Sequence, residues 1–276
     1  MSSLKIKHKY LLTVLMAAAV MIFLIPFYLI VMNSFKSNGE LLRDVLSWPK
    51  EWIFTNYAKA YSTLDYPRVF LNSLIVTVFS NLGVVVISAL AAYRLERFPT
   101  RGNKLLGMLF MAGLIIPFQV VMIPLVKVLQ TMHLVNTLAG VILTYWGMAL
   151  PFTIFLFRGF IQGIPREIEE AAMVDGCELF YMFWKIVFPL LKPIMFTAIT
   201  VNTFWFWNDF LLPQLIISDK KLQTIPIAVN SFFGQYVMKW DLALPALVLA
   251  VVPAVIVFIC FQKQVVEGIV SGAVKG

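Results

Sequence analysis

The first candidate for binding chemistry is a group of amide, aromatic and acidic side chains inside one apolar stretch. Its members are Asn202, Trp205, Asn208 and Asp209, and the last three lie at helical spacings near one stripe. Aromatic faces hold sugars by stacking, while amides and carboxylates hold them by hydrogen bonds. We interpret the group as a surface that contacts a sugar or lines a path for one. Packing between helices is the alternative, because polar side chains inside a bilayer also face partner helices.

The second candidate is an acidic stretch at residues 164–193, in a chain that is only 13% charged. Acids follow Pro165, which suits the first position of a helix, where the helix dipole favours negative charge. Asp175-Gly176 predicts a turn, because glycine adopts the left-handed conformation at little cost. A second helix is predicted from about Glu178 to Pro189. The pattern indicates two helices and a turn on one membrane face, where a soluble partner could bind; an ordinary solvated loop is the alternative.

The same stretch carries a family motif, which reads Glu170-Ala171-Ala172, then Gly176, Ile186 and Phe188-Pro189. It resembles the EAA loop of ABC-importer permeases, with Phe188 in the place of a leucine. The resemblance implies a coupling helix that docks in a cleft of a separate ATP-hydrolysing subunit, formed here by Glu170, Ala171, Ala172, Asp175 and Gly176. It implies that ATP and Mg²⁺ bind to that partner, so that this chain is not an enzyme and has no cofactor. The implied complex contains two copies of the ATP-binding subunit, a second, different permease and an extracellular solute-binding protein.

The composition predicts a membrane protein. The chain is 61% hydrophobic with a mean hydropathy of +0.87, whereas soluble domains are about 45–50% apolar. Apolar runs of roughly twenty residues, the length that crosses a bilayer as a helix, lie at about 10–32, 70–93, 105–129, 138–157, 194–213 and 242–261. We therefore expect an all-α protein with six transmembrane helices in a single domain, residues 1–276. By resemblance this is the type I ABC importer permease fold.

The distribution of charge predicts the orientation. The net charge of +8 comes from short basic clusters between apolar runs rather than from one face, so nucleic-acid binding is not expected. By the positive-inside rule, the basic loop at residues 94–104 and both termini are cytoplasmic. The acidic stretch falls on the same side, as the resemblance independently implies. The expected location is a bacterial-type plasma membrane, which the chain crosses several times.

Several chemistries lack the residues that they need. The sequence contains no G-x-x-x-x-G-K-[ST] phosphate loop. His8 and His133 are the only histidines, and they form no metal-ligand cluster with other residues. Cys177 and Cys260 are too few for a disulfide framework and are expected to be reduced.

Further motifs resemble the maltose-type sugar permeases: Asn72-Ser73, the WNDF sequence at Trp207 to Phe210, and the tail from Val266 to Gly276. This resemblance implies a carbohydrate cargo, most simply an oligosaccharide, that is moved inward by alternating access. It also implies that the partner permease makes most sugar contacts. An external loop at 218–241 would then reach the solute-binding protein through Asn230, Phe232, Phe233, Gln235 and Tyr236, although a plain connecting loop is equally consistent with the sequence.

Two other functions are weighed against this interpretation. A stand-alone secondary transporter or channel predicts an internal repeat in hydropathy, and no convincing repeat is found. A membrane anchor without transport activity leaves the polar stripe at 202–209 unexplained.

Overall fold

The computed structural model describes residues 2–234 and 239–273, together with the side chains of 9–234, 239–259 and Gln262. These residues form helices joined by short connections, and no β-strand occurs among them. The longer helices are α1 (Ser2–Asn33), α4 (Tyr66–Arg97), α5 (Arg101–Gly113), α6 (Phe118–Thr131), α7 (Leu138–Ile161), α11 (Lys192–Asn208) and α14 (Trp240–Ala273). The shorter ones are α2 (Asn38–Leu41), α3 (Thr55–Leu64), α8 (Glu167–Val174), α9 (Leu179–Met182), α10 (Phe188–Leu190), α12 (Leu211–Ile216) and α13 (Ile225–Asn230). A π-helical segment spans Phe183–Val187, and a 3₁₀ turn spans Lys220–Leu222.

Four helices are long and apolar enough to cross a membrane, and they match the runs predicted at 10–32, 70–93, 138–157 and 242–261. The other two predicted spans are not straight helices. The run at 105–129 consists of α5 and α6, which meet at an angle of 109°. The run at 194–213 begins in α11, which is bent by 70° from the helical segment before it. The count in the described residues is therefore four spans, or up to six if each bent pair crosses once.

Local chemistry explains the break between α5 and α6 and the early end of α11. Pro117 adopts an extended conformation and caps α6, because a proline cannot continue the helix of the residues before it. Pro124, by contrast, lies inside α6 without ending it. Asp209 is extended and separates α11 from α12, so the predicted span at 194–213 is interrupted near its end.

The chain divides into two compact units, the first made of residues 1–66 and 228–253. In this unit the most apolar window of α1 has no buried residue. The chain beyond α1 packs around Phe35, whose ring lies within 5.2 Å of the ring centroids of Trp52, Phe54 and Tyr57. The prediction of one domain stays a prediction.

The second unit contains residues 67–227 and 254–276. One apolar cluster joins α4 and α7 to α8 and the segments that follow it, and includes Tyr93, Phe157, Ala172, Phe183 and Leu191. Another joins α4, α7, α11 and α12 around Val84, Tyr145, Phe206 and Ile216. These two cores thus fix α8 and α11, which carry most of the predicted coupling and pathway residues.

Candidate functional site

The acidic stretch folds as a helix, a tight turn and a second helical arm, which we call the elbow (residues 164–193). Its first helix, α8, carries Glu167, Glu169 and Glu170 in its first turn, where the helix dipole favours acids. The helix begins two residues after Pro165 instead of at that residue, which corrects the predicted start. A difference of this size is ordinary for helix ends.

The turn of the elbow depends on Gly176. Its φ of 79° lies in the left-handed region, as the sequence predicts for this glycine. The N–H of Gly176 donates to the carbonyl of Met173 at 3.0 Å, and the N–H of Cys177 donates to that of Ala172 at 3.0 Å. These two bonds form a Schellman motif, which satisfies the last carbonyls of α8 and reverses the chain.

The second arm of the elbow runs from Leu179 to Leu190 and contains the π-helical segment. The sequence predicts a helix over about 178–189, so its position is confirmed. Phe183 and Val187 are buried in the core beside α4 and α7. The arm ends at Leu190, and α11 leaves it at 70°. The second arm of the elbow is therefore joined to α11 by a single residue, Leu191.

Glu169 ties α8 to the end of α4. Its Oε1 lies 2.7 Å from Nε of Arg97, and its Oε2 accepts a hydrogen bond of 2.9 Å from the hydroxyl of Tyr93. Arg97 also donates through Nη2 to the carbonyl of Ile164 at 2.8 Å. Both charged side chains are buried, at 7% and 8% exposure. The ion pair thus fixes α8 against a long helix, independently of the chain connection to α11.

The sequence interpretation did not find this tether. It treated Arg97 as a topology signal and Glu169 as one of several acids in a first turn. A usable signal was the spacing, because Glu169 precedes Ala172 by three residues and shares its helix face. Ala172 is buried, and this face is therefore the one that packs on the protein.

The other predicted coupling residues lie on the outer face of the elbow. Glu170, Ala171, Asp175 and Gly176 are exposed, whereas Ala172 belongs to the core. Apolar side chains are exposed among the acids, including Val174 at 87% and Phe180 at 73%. An exposed apolar knob with an acidic rim has the composition of a docking surface.

The predicted polar group on α11 has buried and exposed members. Asn202 is buried, and its Nδ2 donates to the hydroxyl of Thr153 on α7 at 3.3 Å. Trp205 and Asn208 are exposed, and Nδ2 of Asn208 donates to the carbonyl of Phe204 at 2.8 Å. Asn202 therefore serves helix packing, while the indole and the second amide remain accessible.

Asp209 is held by Tyr145, a residue that the sequence analysis did not single out. The Tyr145 hydroxyl donates to Oδ2 of Asp209 at 3.0 Å, and Oδ1 accepts the N–H of Leu211 at 3.0 Å. The ring of Trp205 lies edge-on to that of Tyr145, with centroids 6.1 Å apart. The carboxylate therefore caps α12 and positions Tyr145 beside the exposed indole.

The predicted external loop begins in the larger unit. Asn72 donates through Nδ2 to the carbonyls of Lys221 and Gln223 at 2.9 and 3.0 Å. The hydroxyl of Ser73 accepts the N–H of Ile225 at 2.9 Å. The Asn72-Ser73 pair thus fixes the first half of the loop.

The predicted binding-protein contacts lie in the second half of the loop. Asn230 is exposed, Phe233 is half-buried, and Phe232 is buried at 5% exposure. Gln235 and Tyr236 lie outside the described residues. In the part of the chain that the structure describes, no group of His, Cys, Asp and Glu could hold a metal ion.

The chain is similar to several known proteins. Residues 83–270 match the family described as "Binding-protein-dependent transport system inner membrane component". The "Probable starch degradation products transport system permease protein AmyC" of Thermoanaerobacterium thermosulfurigenes is 39% identical over 268 residues, 97% of this chain and 97% of that protein. The "Melibiose/raffinose/stachyose import permease protein MelC" of Bacillus subtilis is 35% identical over 277 residues, with 100% of both chains covered. A solved chain of a bacterial ABC transporter that imports alginate superposes with a TM-score of 0.81 at 20% identity, over 91% of this chain and 94% of that one, which confirms the all-α fold.

Proposed function

The chain belongs to the family of binding-protein-dependent transport system inner membrane components, and from that premise we propose that it is the permease subunit of a carbohydrate ABC importer. Its relatives are named for starch degradation products and for melibiose, raffinose and stachyose, which supports an oligosaccharide as the cargo. A stand-alone transporter or channel is disfavoured, because members of this family act with a binding protein.

The observation that carries the proposal is the construction of the elbow. Its outer face exposes apolar side chains among Glu170 and Asp175, while its inner face is fixed to α4 by a buried ion pair. Because the ion pair holds α8 against α4, a partner can bind the outer face without detaching the elbow from the bundle. We infer that a cleft of the ATP-binding subunit grips the outer face, with Glu170, Ala171 and Gly176 in the contact and Ala172 behind it.

The transport cycle follows from these connections. Closure of two ATP-binding subunits around ATP and Mg²⁺ moves the elbow, and the elbow moves α4 through Arg97 and α11 through the second arm. The bundle then alternates between outward- and inward-facing states. ATP is hydrolysed on the ATP-binding subunit, so this chain changes conformation during the cycle but is not the enzyme.

The cargo surface is assigned to the exposed members of the α11 stripe. Trp205 offers an aromatic face for stacking, and the side chain of Asn208 offers an amide for hydrogen bonding. Asn202 and Asp209 act indirectly, because their polar atoms are engaged with Thr153 and Tyr145. A second permease completes the cavity and supplies further sugar contacts.

The orientation completes the assignment. The elbow and both termini lie in the cytoplasm, and the loop at 218–241 lies outside. Asn230 and Phe233 are the described residues of that loop that we assign to the contact with the solute-binding protein. The extracellular protein delivers the sugar at this face.

Reversal of the charge at Glu170 tests the coupling role. Glu170→Lys places a cation in the acidic rim of the elbow, and we expect normal membrane insertion with loss of sugar uptake. The measurement is uptake by the reconstituted importer, together with ATP turnover stimulated by the binding protein. Glu51→Lys makes the same charge change at an exposed acid outside the elbow and should leave both activities unchanged. Undiminished uptake by Glu170→Lys would refute the coupling role.

A further inference from the structure

A pocket of about 520 Å³ lies apart from the elbow, where α4 ends, α5 begins and α7 ends. Its charged residues are Glu96, Lys104 and Arg158. Asn103 adds an amide to the lining, and the apolar part includes Gly107, Met108 and Met111. Since three helix ends that flank predicted spans meet here, the pocket lies at the level of the lipid headgroups. The proposed transport function does not use it.

Arg158 offers a hydrogen-bond donor to this pocket. Its Nε and Nη2 donate to Oε2 of Glu96 at 3.3 and 3.2 Å. The pair is partly exposed, at 32% for Arg158 and 18% for Glu96, so it is held only weakly. Among the described residues, Nη1 has no hydrogen-bond partner. A guanidinium with free N–H groups is well suited to a phosphate oxygen.

Gly107 allows the guanidinium to lie against α5. A Cβ atom at this position would lie 3.0 Å from Nη1 of Arg158, which is closer than side chains normally pack. A larger residue would therefore push the arginine out into the pocket. The absence of a side chain at position 107 therefore leaves room for the guanidinium beside the helix.

One face of α5 carries a positive charge near the start of the helix and apolar side chains further along. Lys104, Met108 and Met111 follow at spacings of four and three residues, so they lie in a row along the helix. Lys104 is exposed at the helix start, and the methionines are exposed at 62% and 41%. The order of cation, then flexible apolar side chains, matches that of a phospholipid from its headgroup to its acyl chains.

We propose that this pocket binds one anionic phospholipid, with its phosphate between Arg158 and Lys104 and the start of an acyl chain along Met108 and Met111. Two cations against the single carboxylate of Glu96 leave the lining with a net positive charge. A lipid with net negative charge is therefore preferred to a zwitterionic one, whose own cation would lie beside the same arginine. A soluble anion would leave the methionine row uncovered.

Native mass spectrometry of the assembled, delipidated importer tests the proposal. Phosphatidylglycerol and phosphatidylcholine with the same acyl chains are added in separate titrations. We expect phosphatidylglycerol to be retained as one tightly bound copy. Lys104→Gln should weaken its retention roughly fivefold, the change expected for one charge at a membrane surface, and Glu96→Gln should strengthen it by a similar factor.

Arg101→Gln is the matched control, because it removes the same charge from the same helix end without touching the pocket lining. It should leave retention within twofold of the unmodified importer. Equal losses from Lys104→Gln and Arg101→Gln would show diffuse attraction to a basic loop and overturn the site. Equal retention of both lipids would overturn the preference for an anionic lipid. Displacement by millimolar inorganic phosphate would overturn the choice of a phospholipid. Lys104 is exposed, so a folding defect in its variant is not expected, and size-exclusion chromatography of the importer verifies this.

Discussion

Loss of the charge on Glu169 should release the elbow from α4. In Glu169→Gln the side chain keeps its shape, but Arg97 loses the carboxylate that lies 2.7 Å from its Nε. Both side chains are at least nine-tenths buried, so solvent screens the pair little. Removal of one partner from a buried ion pair costs about 3–5 kcal/mol. Because Arg97 keeps its bond to the carbonyl of Ile164, we expect the lower end, about 3 kcal/mol.

Hydrogen exchange measures this release directly. A loss of about 3 kcal/mol raises the population of undocked α8 roughly a hundredfold, since each 1.4 kcal/mol is a factor of ten. Amides of α8 in the full-length chain in detergent should exchange faster by that factor, while those of α7 should not change. Glu170→Gln makes the same chemical change on the exposed neighbour and should leave the exchange of α8 as it is.

A double substitution separates charge from packing at the tether. Arg97→Met with Glu169→Leu replaces the buried pair by apolar side chains, a change that is often neutral in other proteins. We expect the double variant to recover most of the protection of α8 that either single variant loses. Unchanged exchange in Glu169→Gln, or full additivity of the two single effects, would refute the tether.

Three further substitutions test local geometry. Gly176→Ala should destabilise the turn of the elbow by roughly 1–2 kcal/mol, because a side chain is strained at a φ of 79° although the space around it is open. Gly147 lies inside a helix with equally open space around it, so Gly147→Ala should instead stabilise the chain by up to about 1 kcal/mol. The unfolding temperature should therefore fall in the first variant and rise in the second. Asn72→Ala should raise hydrogen exchange at residues 218–227, because two loop carbonyls lose their donor at a cost of about 1–3 kcal/mol. Exchange at the unmodified rate would show that the loop is held by other contacts.

The sequence predicts spans well and bends poorly, for a physical reason. A run of about twenty apolar residues has few structures available in a bilayer other than a helix, so the positions of the four long helices follow from hydropathy. A proline in an apolar run can either end a helix or lie within one. Pro117 marks the break before α6, whereas Pro124 lies inside that helix. The difference depends on how neighbouring helices satisfy the freed carbonyls, which no local pattern encodes.

The candidate residues show the same limit at the level of single side chains. Glu169 and Glu170 are adjacent and chemically identical in the sequence, yet one is buried on Arg97 and the other is exposed. On α11, Asn202 and Asn208 belong to the same predicted polar group, yet one is buried and the other is exposed. The identity of the partner decides each case, and the partners Arg97 and Thr153 are at least 49 residues away in the chain. Spacing predicts which residues share a face, but not what covers that face.

The elbow has two routes into the bundle, and they differ in kind. The route to α11 is covalent and passes through the second arm, whereas the route to α4 depends on one ion pair and the packing beneath it. Loss of the ion pair leaves the outer face and its acids intact, so the ATP-binding subunit of the proposed importer should still bind the elbow. Only part of the movement then reaches the bundle. In the importer, Glu169→Gln should therefore lower sugar uptake more than it lowers ATP turnover. Glu170→Lys alters the outer face of the elbow, the proposed docking surface, and should lower both.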